Sequence, residues 1–200
     1  MPRPQGRIMV AQNRKAHHDY FVEDRYEAGI ELADLPTAKK EIPLGSVDII
    51  ATNPPFGSVK GEDGKPVKVK VDGYNIGQID HLIAARALET MKDDGRATLI
   101  LGANKAPGGL STDDRIFFNW LYSHYNVVGH FEVAGDLYAR QGAGWPVRVI
   151  AINGREKSAK LSPVAGTIQR ADNWDQVYEQ FNQILGSGRR PVRGAGDAAG

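Results

Sequence analysis

From residue 43 to about residue 185, short apolar runs alternate with segments whose apolar residues recur at helical spacing. Val47 to Thr52 is a largely apolar run, the pattern of a fully buried strand. Ile79, Ile83, Ala87 and Met91 follow at intervals of four, with Ala84 and Leu88 beside them, which predicts a helix with one apolar face. Asp94-Gly95 then supplies a helix stop, and Ala97 to Leu101 predicts the next strand. Strand, helix and strand of these lengths form the crossover unit of a parallel sheet. Ser111 and Thr112 are cap candidates for a second helix with an apolar face of Ile116, Phe117, Trp120 and Leu121. Asn126 to Val133 and Pro146 to Ile152 predict two more strands, joined by the glycine-rich stretch Gly135 to Gly144. Trp174, Val177, Tyr178, Phe181 and Ile184 predict a final amphipathic helix. Residues 1–10 and 186–200, rich in proline, glycine and arginine, read as disordered ends.

The connection from Gly57 to Gln78 is too long for an idle loop in a compact domain. Val67, Val69 and Val71 alternate with Lys68 and Lys70, and Gly61 to Gly64 supplies a turn, so a small β-ribbon with a basic face is expected. Two readings stay open. The ribbon is a flap that contacts phosphates and closes over substrate, or a solvated hairpin whose lysines keep an exposed edge soluble.

Composition changes this picture little. The 200 residues carry a formal net charge of +1, so bulk electrostatics does not announce a polyanion partner. The basic residues are unevenly placed: Arg3, Arg7, Arg14 and Lys15 precede the first acid, Asp19, and Arg189, Arg190 and Arg193 lie in the tail. Without cysteine there is no disulfide framework, thiol nucleophile or cysteine-type zinc site. His81, His124 and His130 share no metal-ligand spacing with carboxylates, and no metal is assigned. No run reaches the length of a membrane span and no signal-peptide pattern opens the chain, so a soluble, cytoplasmic protein is expected.

The most distinctive local chemistry is Asn53-Pro54-Pro55-Phe56, directly after the first strand. Two prolines fix φ and remove backbone donors, and a residue before proline is held extended. Such a corner is stiff. It can aim the Asn53 side-chain oxygen and the Pro54 carbonyl at one amino group, while Phe56 offers a face for a base taken out of its stack. Tyr74 and Gln78 are further candidates for the lining of a substrate cleft, with Lys68 and Lys70 for phosphate contacts. Asp80 reads as a first-turn acid favourable to the helix dipole.

The segment Asp48 to Gly57, Asp-Ile-Ile-Ala-Thr-Asn-Pro-Pro-Phe-Gly, resembles the catalytic motif of adenine-N6 DNA methyltransferases. The pattern continues through Val71 to His81, Met91 to Ile100, Tyr125 into the 130s and Gly135 to Pro146. This longer pattern is similar to the methylase-like domain that precedes the helicase in strawberry-notch-type phage and plasmid proteins. The resemblance implies a Rossmann-like methyltransferase sheet whose last strand inserts antiparallel, S-adenosylmethionine as cofactor and DNA as partner. It also implies that Asn53 and Pro54 accept from the adenine amine, Pro55 stiffens the turn and Phe56 stacks on the base. In that family a glycine-rich cofactor turn precedes the motif by two or more βα units. The 52 residues before Asn53 hold no strand followed by such a turn, with Asp34 the one candidate for the upstream acidic position. The expected architecture is therefore the second half of a methyltransferase sheet, with weak cofactor binding unless another chain supplies the missing half.

Ala11 to Ile30, including Asn13, Arg14, Lys15, His17, His18 and Tyr20, resembles the opening of small protein B, the transfer-messenger-RNA-binding family of ribosome rescue. That resemblance implies the first strand of an OB-like barrel and RNA contacts through Asn13, Arg14, Lys15, His17 and Tyr20. It stops after Leu32. The expected organisation is an extended N-terminal arm over 1–42, a methyltransferase-like α/β domain over 43–185 and a disordered tail over 186–200.

Overall fold

The computed structural model describes residues 8–12, 42–61, 63–137 and 144–187, the first of these as backbone. The strands are β1 (Ile8–Gln12), β2 (Val47–Asn53), β3 (Val69–Val71), β4 (Tyr74–Ile76), β5 (Met91–Gly102), β6 (Val127–Val133), β7 (Val147–Asn153) and β8 (Arg170–Ala171). The helices are α1 (Ile79–Glu89), α2 (Thr112–His124) and α3 (Trp174–Ser187). Six strands form one mixed sheet in the order β1-β2-β5-β7-β6-β8, and β3 with β4 makes a separate hairpin. β1, β2 and β5 run parallel. β7 inserts antiparallel between β5 and β6, as the methyltransferase resemblance implies.

The parallel pair β2 and β5 is bridged by α1, the expected crossover. The helix ends earlier than Asp94-Gly95. Thr90 turns its hydroxyl back onto the Ala87 carbonyl (2.7 Å), and Met91 already belongs to β5. The Asp-Asp-Gly stretch is instead an irregularity inside the strand, because Val47 pairs with Met91 but Ile49 pairs with Arg96. Gly95 suits that bend, since a Cβ there would meet the Asp48 carbonyl at 3.2 Å. Ser111 caps α2 as expected, and Asp114 completes a capping box by accepting from the Ser111 N–H (2.7 Å).

α1 and α2 cover one face of the sheet, where Ile50, Leu88, Leu99, Leu101, Phe117, Phe118 and Trp120 form the main core. Val59, Val71 and Ile76 from the hairpin region join the same core. As a result α1 is buried nearly all round, not along one face. α3 packs on the opposite face against β6 and β8, through Val177 and Ile184 with Phe131, Val133 and Val149. Of the residues that predicted this helix, Trp174, Tyr178 and Phe181 are exposed.

Two expectations need correction. The strand Val47 to Thr52 is not buried on both faces: Ile50 is 1% exposed and Ile49 is 46% exposed, because α3 covers the β6 side of that face. Nor do residues 1–10 lie wholly outside the fold. Ile8–Gln12 forms the edge strand, with Ile8 opposite Ile49 and Gln12 opposite Asn53. Ala11 and Gln12 thus belong to an open α/β sheet and not to a barrel. α3 likewise continues to Ser187, into the segment read as a tail.

Candidate base-binding corner

β2 ends at Asn53, which is exposed at the carboxyl edge of the parallel strands. Pro54 is buried, Pro55 is half-buried, and Phe56 is 39% exposed. The Phe56 ring lies on the backbone of Gly102, the last residue of β5; a Cβ at Gly102 would come within 3.3 Å of it. Any larger residue at 102 would push the ring away. Gly57 reverses the chain at φ 142°, a value open to glycine. Its carbonyl accepts from the Ile79 N–H (2.8 Å), which ties the corner's exit to the first turn of α1. Asp80, in that turn, is 4% exposed and accepts from the Gly102 N–H at 2.9 Å. Its role is therefore more specific than a favourable dipole contact: it fixes the strand end on which Phe56 rests.

The other side of Gly102 is held by a buried charge network. Arg148 on β7 donates through Nη1 to the Gly102 carbonyl (2.8 Å) and to Asp114 Oδ1 (2.9 Å), and through Nη2 to the Gly109 carbonyl (2.6 Å). Its Nε lies 3.3 Å from Glu132 Oε1, a charge contact without hydrogen-bond alignment. Glu132 Oε2 accepts from the Gly108 N–H (2.9 Å) and from Arg170 Nη2 (2.7 Å). Arg170 also caps the Asn104 carbonyl at 2.6 Å. The loop after β5 is thus laced from both sides by two arginines. Trp145 closes it above: the indole N–H donates to the Ala103 carbonyl (2.7 Å), and Lys105 Nζ stands 5.0 Å from the ring centre. None of Asp114, Glu132, Arg148, Arg170 or Trp145 was singled out as a site residue from the sequence. Apart from the Ser111–Asp114 capping box, the partners that build this network lie tens of residues away and no local pattern marks them.

Asp113 at the start of α2 holds Gln78 and Lys68 together. Lys68 Nζ donates to Asp113 Oδ1 (2.9 Å) and Gln78 Nε2 to Oδ2 (3.3 Å). The Lys68 hydrogen bond, opposed by partial burial and helped by Gln78, holds the Asp113 carboxyl below the ordinary range. Ser58 bridges to Gln78, so the ribbon's return strand runs beside the corner. Tyr74 is not brought there. It packs edge-on against His124 (centroids 6.4 Å) at the far end of α2, and Trp120 donates to Asp72 at the hairpin tip (2.9 Å). Lys70 is exposed on β3. The hairpin is docked on α2 along its length, which leaves it as a packed ribbon more than a free flap. Asn13, Arg14, Lys15, His17, Tyr20 and Asp34 lie outside the described residues.

The corner itself is an exposed shelf. A cavity of about 510 Å³ beside Asp72, Tyr125 and Arg155 opens at the other end of α2, and one of about 190 Å³ lies beside Tyr122, His130 and Lys160. Neither borders residues 53–56.

For S-adenosylmethionine, glycines at the carboxyl edge are the natural cradle, and Gly102, Gly108 and Gly135, at the end of β5 and in the loops after β5 and β6, do not fit it. The space above Gly102 is taken by Phe56 and Asp80. The Gly108 N–H is already given to Glu132, and a Cβ there would meet Gly166 at 3.0 Å. Gly135 backs directly onto Gly144. Among the described residues no helix is long and apolar enough to cross a membrane.

No family model matches this chain. In sequence it is 46% identical over 50 residues to the SsrA-binding protein of Kineococcus radiotolerans, covering 25% of this chain and 31% of that protein. It is 51% identical over 49 residues to the SsrA-binding protein of a Geobacillus species, covering 24% and 30%. The chain thus spans under a third of the length of these curated relatives. Among solved structures it is similar to a modification subunit of a putative type I restriction enzyme from Vibrio vulnificus, with TM-score 0.48, 12% identity and coverage of 78% of this chain and 34% of that one. It is also similar to the M protein of the type I restriction enzyme EcoKI, with TM-score 0.42, 18% identity and coverage of 62% and 25%. One segment therefore resembles SsrA-binding protein in sequence.

Proposed function

We propose that residues 53–56 hold an extrahelical adenine, which makes this chain an adenine-N6 DNA methyltransferase-like domain. The observation that carries the reading is the corner itself: Asn53 stands exposed at the carboxyl end of a parallel strand, and Phe56, 39% exposed, rests against Gly102. Ligands of open α/β sheets bind at that edge. In this reading the Asn53 amide oxygen and the Pro54 carbonyl accept from the adenine amine, Pro55 keeps the corner rigid and Phe56 stacks on the base. Gln78 and Lys68 border the shelf, with Lys68 free to exchange Asp113 for a phosphate. S-adenosylmethionine would supply the methyl group in this reading, and no described residue is assigned to hold it.

The test is binding of the full chain to a DNA duplex with one unpaired adenine. Asn53→Ala and Phe56→Ala are each expected to weaken that complex on the order of tenfold, by loss of a base hydrogen bond or of stacking. Binding of the fully paired duplex is expected to stay unchanged. Equal affinity for all four bases at the unpaired position would end the proposal.

The 46% identity over 50 residues to an SsrA-binding protein favours a second reading. Here Asn13, Arg14, Lys15, His17 and Tyr20 contact transfer-messenger RNA, and the chain acts without catalysis. Replacing Arg14 and Lys15 by alanine is then expected to lower the salt slope of RNA binding by about 1.5, through two lost phosphate contacts. Asn53→Ala is expected to leave that binding intact. The reverse pattern in a filter-binding titration would discard this reading.

A further inference from the structure

Two half-exposed aromatic side chains stand on successive residues at the end of β5. Phe56 rests on Gly102, and Trp145, 45% exposed, hydrogen-bonds through its indole N–H to the carbonyl of Ala103 (2.7 Å). Adjacent residues are about 3.8 Å apart along the backbone, so the two anchor points are neighbours. The position of Trp145 is further set by the Ala103 N–H, which donates to the Pro146 carbonyl at 3.0 Å. Its ring is therefore fixed before anything binds, and stacking on it would cost little side-chain freedom. Lys105, exposed, places its ammonium 5.0 Å from the ring centre. An aromatic face joined to a mobile cation is the pairing with which proteins hold single-stranded nucleic acid, the ring taking a base and the cation a phosphate.

Among the described residues, Trp145 contacts its surroundings through the indole N–H and the Lys105 ammonium. Among the described residues it belongs to neither core cluster, and the one on the α3 side is made by Phe131, Val133, Val147 and Val149 without it. A tryptophan exposed by nearly half and tethered by its N–H is better explained by what it presents than by what it buries.

We propose that Trp145, with Lys105, is a second stacking platform that takes the base next to the adenine seated on Phe56. This rests on the reading of residues 53–56 given above. The platform would grip the strand beside the extruded base and set a preference for an intact neighbour.

The test uses fluorescence anisotropy of the full chain with two labelled single-stranded DNA probes. One is a thymine tract with a single adenine; the other has abasic sites on both sides of that adenine. The wild-type protein is expected to favour the first probe. Trp145→Ala is expected to weaken it on the order of tenfold and to leave the abasic probe unchanged, whereas Phe56→Ala weakens both. Trp145→Phe is expected to keep most of the binding, and Lys105→Gln to lower the salt slope by about one charge. If Trp145→Ala does not fold, Trp145→Leu makes the same comparison.

Wild-type affinity for Trp145→Ala on the intact probe overturns the platform and leaves the corner standing if Phe56→Ala still weakens both. Equal weakening of both probes by Trp145→Ala also overturns it, because the role is then not contact with a neighbouring base. A base-dependent loss in Trp145→Ala with no effect of Phe56→Ala supports the platform and removes the corner. No binding of either probe by the wild-type chain removes both.

Discussion

Arg148→Ala is expected to cost about 3–5 kcal/mol of folding stability, the range for breaking one side of a buried ion pair. Arg148 and Glu132 are both 0% exposed, and Asp114 is 6% exposed. Removing the guanidinium leaves two enclosed carboxylates without their shared cation and orphans the Gly102 and Gly109 carbonyls. It also removes the cation that lies 5.4 Å from the Phe118 ring centre. Arg148→Lys should recover little, because a point charge on a flexible stem cannot span Asp114, Glu132 and two carbonyls at once. A variant that also neutralises the acids, Arg148→Met with Asp114→Asn and Glu132→Gln, is expected to regain part of the loss. Urea unfolding measures this directly. At about 2–4 °C per kcal/mol for a chain of this size, the alanine variant should melt roughly 6–20 °C below the parent. A loss under about 1 kcal/mol would mean that water or the Arg170 side chain replaces the guanidinium.

Acid is expected to unfold the chain through its enclosed histidines before the surface carboxylates matter. Burial, reinforced by the Arg148 charge, pushes His130 down to about 3 from 6.5. Its Nδ1 meets the Tyr122 hydroxyl at 3.0 Å, Phe118 lies edge-on at 4.8 Å, and Nε2 is enclosed without a partner. His81, 2% exposed and stacked on Phe117 at 4.3 Å, is also lowered by burial, with Asp80 and Asp114 opposing. In both cases the unfolded chain takes up the proton first. Stability is therefore complete above about pH 6.5 and falls as pH drops toward 3, by up to about 1.4 kcal/mol per pH unit for each histidine. Urea titrations at steps between pH 7 and 5 separate this from carboxylate protonation at lower pH. His130→Gln is expected to flatten the slope by about half. An unchanged slope would show that His130 is protonated in the folded state.

The site was legible in part. Asn53 to Phe56 stood out because prolines and the preceding residue restrict the backbone wherever they occur. Gln78 and Lys68 meet on Asp113, a partner to which the spacing did not point. Tyr74 was placed wrongly because the turn at Asp72 and Gly73, both at positive φ, carries the hairpin toward His124. Asp80 was read as a local dipole partner; its ligand, the Gly102 N–H, is 22 residues on and comes into reach only when α1 packs back over the sheet. Trp145 appeared within a resemblance and not as a residue with a contact of its own.

Alternation, capping and turn chemistry act over a few residues, and to that reach the amino-acid order determined this protein. It marked β2, the α1 crossover, the Ser111 cap and the stiff corner after Thr52. Tertiary structure decided what depends on which strand lies beside which. β1 became an edge strand by pairing with β2, and Ile49 stayed exposed because α3 settled over β6. Arg148 met Asp114 and Glu132 because β7 entered between β5 and β6. Such pairings are selected by register and burial across the whole sheet, and no window along the chain contains both partners.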